Sequence, residues 1–105
     1  MATTDDKRRQ KRVAVDLWIE VDRDGELYFQ RATNLSSGGA FFDKTIPLPV
    51  GTRVSMRFPL PGEDTEIACA GKIVNTAEWG MGVEFIGLPE EAQRALERVL
   101  SRLSP

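Results

Sequence analysis

The sequence predicts an all-β domain: a six-stranded antiparallel β-barrel followed by one C-terminal α-helix. Three observations predict it. Val13 to Val21 alternates strictly between apolar and polar residues, the period of a half-buried strand. Further short apolar or alternating stretches follow, separated by turn signals, which is the pattern of a small antiparallel barrel. From Pro89 onward the apolar residues change to helical spacing. At 105 residues the chain has room for one domain with one modest core. Closing the sheet into a barrel removes its exposed edges.

The first strand places Val13, Val15, Leu17, Ile19 and Val21 on one face, with Trp18 opposite. Trp18 is expected to pack under the helix rather than to form a partner patch. Asp22-Arg23-Asp24-Gly25-Glu26 is a turn in which Gly25 can take positive φ. Leu27 to Asn34 returns as the second strand of a hairpin, with Tyr28 and Phe29 competing for the core. Leu35-Ser36-Ser37-Gly38-Gly39 breaks the chain, and Ala40-Phe41-Phe42 is a short strand. Ile46 to Gly51 is a proline-pinned loop. Arg53 to Phe58 alternates again, with Val54, Met56 and Phe58 inward. Pro59 to Asp64 turns the chain into a longer strand, Glu66 to Asn75. A turn around Glu78-Trp79-Gly80, with Trp79 half exposed, leads to the last strand, Met81 to Ile86. Pro89 suits the first position of a helix over residues 89–103, and Glu90 and Glu91 suit its positive end. Ala92, Leu96, Val99, Leu100 and Leu103 form its apolar face.

Composition removes whole classes of chemistry. The chain has no histidine, which excludes histidine-dependent triads, the Cys-His dyad and HExxH zinc sites. Its one cysteine, Cys69 between Ala68 and Ala70, permits neither an intrachain disulfide nor a multi-cysteine zinc site, and reads as a buried small hydrophobe. No nucleophile–base pair or metal cluster is evident, so no enzyme and no cofactor are expected. No apolar run is long enough to span a membrane. The acidic, polar start Met1 to Asp6 does not read as a signal peptide, so a cytoplasmic location is expected.

Charge is divided unevenly. Residues 1–12 carry five cations against two anions, while the other 93 carry nine cations against fourteen anions. A basic arm (1–12) therefore precedes an acidic barrel and helix (13–105). The acidic body is a poor platform for long nucleic acid. Together with few aromatics expected on the sheet surface, it disfavours a small RNA-binding barrel. The arm can still hold a small anionic ligand.

Arg8-Arg9-Gln10-Lys11-Arg12 lies just before the first strand, and Asn34-Leu35-Ser36-Ser37-Gly38-Gly39 at the end of the second. In a hairpin-led barrel the two can face one another. Arg8 and Arg12 make an RxxxR motif, and Asn34, Ser36 and Gly39 make (D/N)xSxxG. This pair of motifs resembles the PilZ family of bacterial cyclic di-GMP receptors. Gly80-Met81-Gly82-Val83-Glu84-Phe85 is similar to that family's last strand, and the resemblance covers Lys7 to Leu103.

The resemblance implies a receptor for cyclic di-GMP and an unidentified protein partner. Arginine can donate paired hydrogen bonds to guanine O6 and N7, or fork onto a phosphate. Arg8 and Arg12 would do these jobs, with Arg9 as a further anion contact. Asn34 would bond a guanine edge, Ser36 a guanine or phosphate, and Gly39 would let the ligand approach the backbone without a Cβ in the way. Some members stack an aromatic on the ligand from a place where this chain has Asn75. The arm is expected to be mobile when free and ordered by ligand, creating a surface that a partner reads. The alternative is a PilZ-fold interaction adaptor that does not bind nucleotide.

Overall fold

The computed structural model describes residues 12–104. Arg8, Arg9 and the expected mobility of the arm lie outside the described residues. The strands are β1 (Val13–Arg23), β2 (Glu26–Leu35), β3 (Gly39–Asp43), β4 (Arg53–Pro59), β5 (Glu66–Ala77) and β6 (Gly80–Ile86), followed by α1 (Glu90–Leu103). They close into a barrel in the order β1-β2-β3-β6-β5-β4, with every neighbouring pair antiparallel. The architecture is the one the sequence predicts. No helix among the described residues is long and apolar enough to cross a membrane.

Strand directions sort the connections between two ends. One end holds Arg12, the β2–β3 link, the β4–β5 turn and the exit toward α1. The other holds the β1–β2, β3–β4 and β5–β6 connections. The β1–β2 turn is two residues long, and both Asp24 (φ 54°) and Gly25 (φ 87°) lie in the left-handed region, the backbone that suits the twist of a tight hairpin. Asp22 Oδ1 accepts from Gly25 N at 3.0 Å and secures it.

The core is built by alternation. Ile19, Val21, Val54, Met56, Phe58, Ile67, Ile73, Met81 and Val83 all point inward and are buried. Phe58 and Phe85 pack with ring centroids 5.8 Å apart. Helix α1 covers the Arg12 end by inserting Ala92, Ala95, Leu96 and Val99 into the same cluster. Glu63 in the β4–β5 turn fixes the far end of α1. It accepts from Arg98 Nη2 and Arg102 Nη1, each at 3.0 Å, while Arg102 Nη2 donates to Pro61 O at 3.0 Å. The two guanidinium groups, Arg98 first, hold the Glu63 carboxyl below the usual carboxylate range.

Several expectations need correction. Trp18 is not under the helix: it is 59% exposed on the outer barrel face. Neither Tyr28 nor Phe29 enters the core: Phe29 pairs with Glu20 on the outer face, and Tyr28, opposite buried Val21, lies where β2 runs past the part of the sheet that β3 covers. With Trp79 also exposed, aromatics on the surface are not scarce, and the acidic body alone argues against an RNA-binding barrel. Pro89 is the N-cap, in extended backbone, rather than the first helical residue; its carbonyl accepts from Gln93 N at 2.8 Å. On α1, Ala95 is buried and Leu103 is exposed. Cys69 is half-buried against the core, and burial pushes its thiol pKa up.

Candidate functional site

The site sequence lies where the barrel departs from regular pairing. One extra residue is inserted in β1 between Ala14 and Leu17, in β2 between Ala32 and Asn34, and in β5 between Ile73 and Asn75. Such bulges re-aim the side chains beside them. Ala32 and Leu35 are three residues apart yet both fully buried, which strict alternation forbids. The inserted residue of β2 reconciles them and leaves Asn34 on the outer face. There Asn34 pairs with Ala14 and Phe41, Phe41 with Gly82, and Gly82 with Asn75. One outward row thus crosses five strands.

Arg12 stands at the edge of this row. Its Nη1 donates to Asn34 Oδ1 at 2.8 Å. Arg12, the last residue before β1, therefore meets the Asn34 segment. One guanidinium donor holds Asn34, and the planar fork of a guanidinium carries further donors that suit an acceptor group.

Ser36 is 3% exposed, and its hydroxyl is bound within its own turn. Oγ donates to Gly39 O at 3.3 Å and accepts from Gly38 N at 3.2 Å and Gly39 N at 3.1 Å, while Ser36 N donates to Gly39 O at 2.8 Å. Ser36 therefore shapes the loop. Phe85 N donates to Gly38 O at 2.8 Å and ties that loop to β6.

Gly39 also has an internal reason. A Cβ there would overlap the Val83 carbonyl oxygen and stand 3.1 Å from its carbon. The missing side chain lets β3 and β6 approach, whatever approaches from outside. Gly80 and Gly82 act similarly on β6. A Cβ on Gly80 would meet the Phe41 ring at 2.6 Å, and one on Gly82 the Asn75 carboxamide at 2.7 Å. Phe41 thus supplies an aromatic ring on the site face, and Asn75 lies over Gly82 beside it.

A recess of about 80 Å³ is lined by Arg12, Ser36, Gly38, Gly39, Val74, Val83 and Glu84. Its polar lining combines a guanidinium, backbone amides and a carboxylate. Sequence reasoning missed Phe41, Val74, Val83 and Glu84. The parity of β6 relative to Gly39 signals Glu84, since the two are register partners. Among the described residues no cluster of three or more His, Cys, Asp or Glu could hold a metal ion.

The molecule is thus a closed antiparallel β-barrel with an arginine–asparagine pair at the rim of a small recess. The family model for the PilZ domain matches residues 6–102, and the chain belongs to that family. Similar solved structures include Bacillus subtilis MotI/DgrA, an inhibitor of motility (TM-score 0.76, 19% identity, 90% of this chain and 50% of that one). The chain thus spans half the length of MotI/DgrA. The PilZ domain of CeSA from a cellulose-synthesizing bacterium matches at TM-score 0.66 and 21% identity, over 88% of this chain and 96% of that one. The PilZ domain of Escherichia coli YcgR, a structure with c-di-GMP, matches at TM-score 0.68 and 17% identity, over 92% and 91%. At these identities the likeness concerns the fold. A search of curated protein sequences finds no match.

Proposed function

We propose that this chain is a cyclic di-GMP receptor domain that signals through a protein partner rather than catalysing a reaction. The observation that carries the reading is the Arg12–Asn34 hydrogen bond at the rim of the recess, which joins the two motifs in one place. Family membership and the YcgR structure with c-di-GMP support the same ligand.

The chemistry divides by residue. Arg12, with Arg8 and Arg9 from the arm, meets guanine O6 and N7 or a phosphate. Asn34 is held by Arg12 and faces a guanine edge. Glu84 accepts only, so it suits the N–H groups of guanine and repels a phosphate, which favours base over phosphate inside the recess. Phe41 offers a face for base stacking. Ser36 and Gly39 hold the loop that presents these groups. Ligand binding fixes the arm over the site, and the charge-assisted contacts offset the cost of ordering it. The covered arm and rim then form the surface a partner reads.

Amide hydrogen exchange tests this directly. Saturating cyclic di-GMP should slow exchange of Arg8 to Arg12 and of Asn34 to Gly39 by at least about tenfold, and leave the Glu91–Leu103 helix almost unchanged. Protection of the arm before ligand is added would refute the ordering step. No response in either segment would refute the receptor reading and leave the adaptor reading in its place.

A further inference from the structure

The closed barrel leaves part of β2 with a neighbour on one side. β3 pairs with β2 only from Arg31 to Leu35, so Glu26 to Gln30 have β1 on one side and no described strand on the other. The two-residue turn makes Arg23 and Glu26 a mutually hydrogen-bonded pair, and the alternation of an antiparallel ladder then turns the backbone groups of Leu27 and Phe29 away from β1. Among the described residues no strand pairs with them on that side, and no turn or loop backbone bond reaches them. The side chains beside this edge are exposed as well: Leu27 is 54%, Tyr28 45% and Phe29 64% exposed, with Trp18 next to them. A groove of about 510 Å³ runs along the edge between Phe29 and Lys44. Residues 26–30 themselves carry no lysine, proline or bulge, and Lys44 and Thr45 form the far wall of the groove; such an edge is a template for strand addition.

We infer that the β2 edge is a homodimer interface, in which a second copy of this chain adds its own β2 antiparallel across a two-fold axis at Tyr28. The register follows from the free groups. Only pairing Leu27 with Phe29 of the second copy, and Phe29 with its Leu27, satisfies all four N–H and C=O groups at once. Centring on Leu27 leaves the Phe29 groups facing the turn, and centring on Phe29 requires Arg31, which already pairs with Asp43.

The side chains agree with that register. Leu27 and Phe29 share the outer face, so the two copies bring four apolar side chains together there. Glu26 falls opposite Gln30, so no like charges are directly opposed, and Asp22 and Glu20 stand only at the outer ends of the rows. Arg31 is no obstacle, since its guanidinium is bonded to Asp16 at 2.9 and 3.2 Å. Large side chains of roughly 150–250 Å² at these exposures cover on the order of 400 Å² per protomer. With the backbone added, the interface lies near the low end for specific association, about 1,000–1,200 Å² in total. A weak, concentration-dependent dimer in the micromolar range is the expected result.

Sedimentation equilibrium over a wide concentration range tests it, with cross-linking as an independent measure. The protein should pass from monomer to dimer, and Leu27→Lys should weaken dimerisation at least about tenfold while leaving the circular dichroism spectrum unchanged, because Leu27 is exposed. Tyr28→Cys in a Cys69→Ala background should form an intermolecular disulfide on mild oxidation, since residues facing each other across this axis lie about 4.5 Å apart at Cα. Trp79→Cys in the same background should not. A protein that stays monomeric throughout, with Tyr28→Cys uncross-linked, overturns the inference and leaves the edge to a foreign extended segment. A dimer that Leu27→Lys does not weaken overturns it too, by locating the interface elsewhere.

Discussion

Gly39→Ala separates two explanations of a motif glycine. If Gly39 serves only ligand approach, alanine should impair binding and spare the fold. The structure requires the opposite order. The added Cβ would overlap Val83 O and lie 3.1 Å from Val83 C, both backbone atoms of the paired strand. No rotamer can relieve that contact. Restoring a van der Waals separation of about 3.5 Å from that oxygen means moving β3 away from β6 by roughly 1.5 Å. Overpacking costs about 1–3 kcal/mol in a core that can adjust, and this one is pinned by backbone pairing from Gly39 to Asp43. We expect a loss of about 2–4 kcal/mol, which for a domain of this size lowers the melting temperature by at least about 10 °C. The assay is thermal unfolding by circular dichroism without ligand. Gly87→Ala is the control: it also substitutes a glycine, at φ 68°, but into open space, so it should cost only the left-handed backbone penalty of about 1–2 kcal/mol. A Gly39→Ala protein that melts within about 3 °C of the parent, or no earlier than Gly87→Ala, would refute the reasoning.

Arg12→Ala should weaken cyclic di-GMP binding at least about tenfold, because a charge-assisted hydrogen bond is worth roughly 1.5–3 kcal/mol. Its melting temperature without ligand should stay within about 3 °C of the parent, since the side chain is exposed; fluorescence binding and thermal scans check the two halves. Glu63→Gln should lower stability at neutral pH and flatten the acid limb of the stability–pH curve. The folded Glu63 carboxyl titrates below its ordinary value, so its contribution is present above that value and is lost as pH falls through the lowered one. Melting temperatures of both proteins from neutral to acid pH measure this.

Local periodicity carried most of the fold. β4 alternates exposed and buried from Arg53 to Pro59, and β1 keeps Leu17, Ile19 and Val21 inward, as their patterns require. The bulges were not legible, because one inserted residue has no compositional signature. Without the one in β2, the simultaneous burial of Ala32 and Leu35 could not be read from spacing. Tyr28 and Phe29 look like core residues by composition. Phe29 faces outward because it pairs with Glu20, and Tyr28, opposite Val21, stays exposed because β3 ends before reaching it; both are properties of pairing partners and not of β2 itself. Two candidate motifs were legible, and Arg12 of one bonds Asn34 of the other. The roles of Ser36 and Gly39 were not, since the partners that engage them, the turn's own amides and the Val83 carbonyl, exist only after folding.

Calorimetric titration of the full chain with cyclic di-GMP, with the linear dinucleotide and GTP as controls, tests the central claim most directly. The account predicts saturable binding of cyclic di-GMP, binding of both controls at least about tenfold weaker, and loss of the cyclic di-GMP heat in Arg12→Ala. A folded protein that gives no heat and no competition with cyclic di-GMP, or that binds GTP as well as the cyclic ligand, would contradict it.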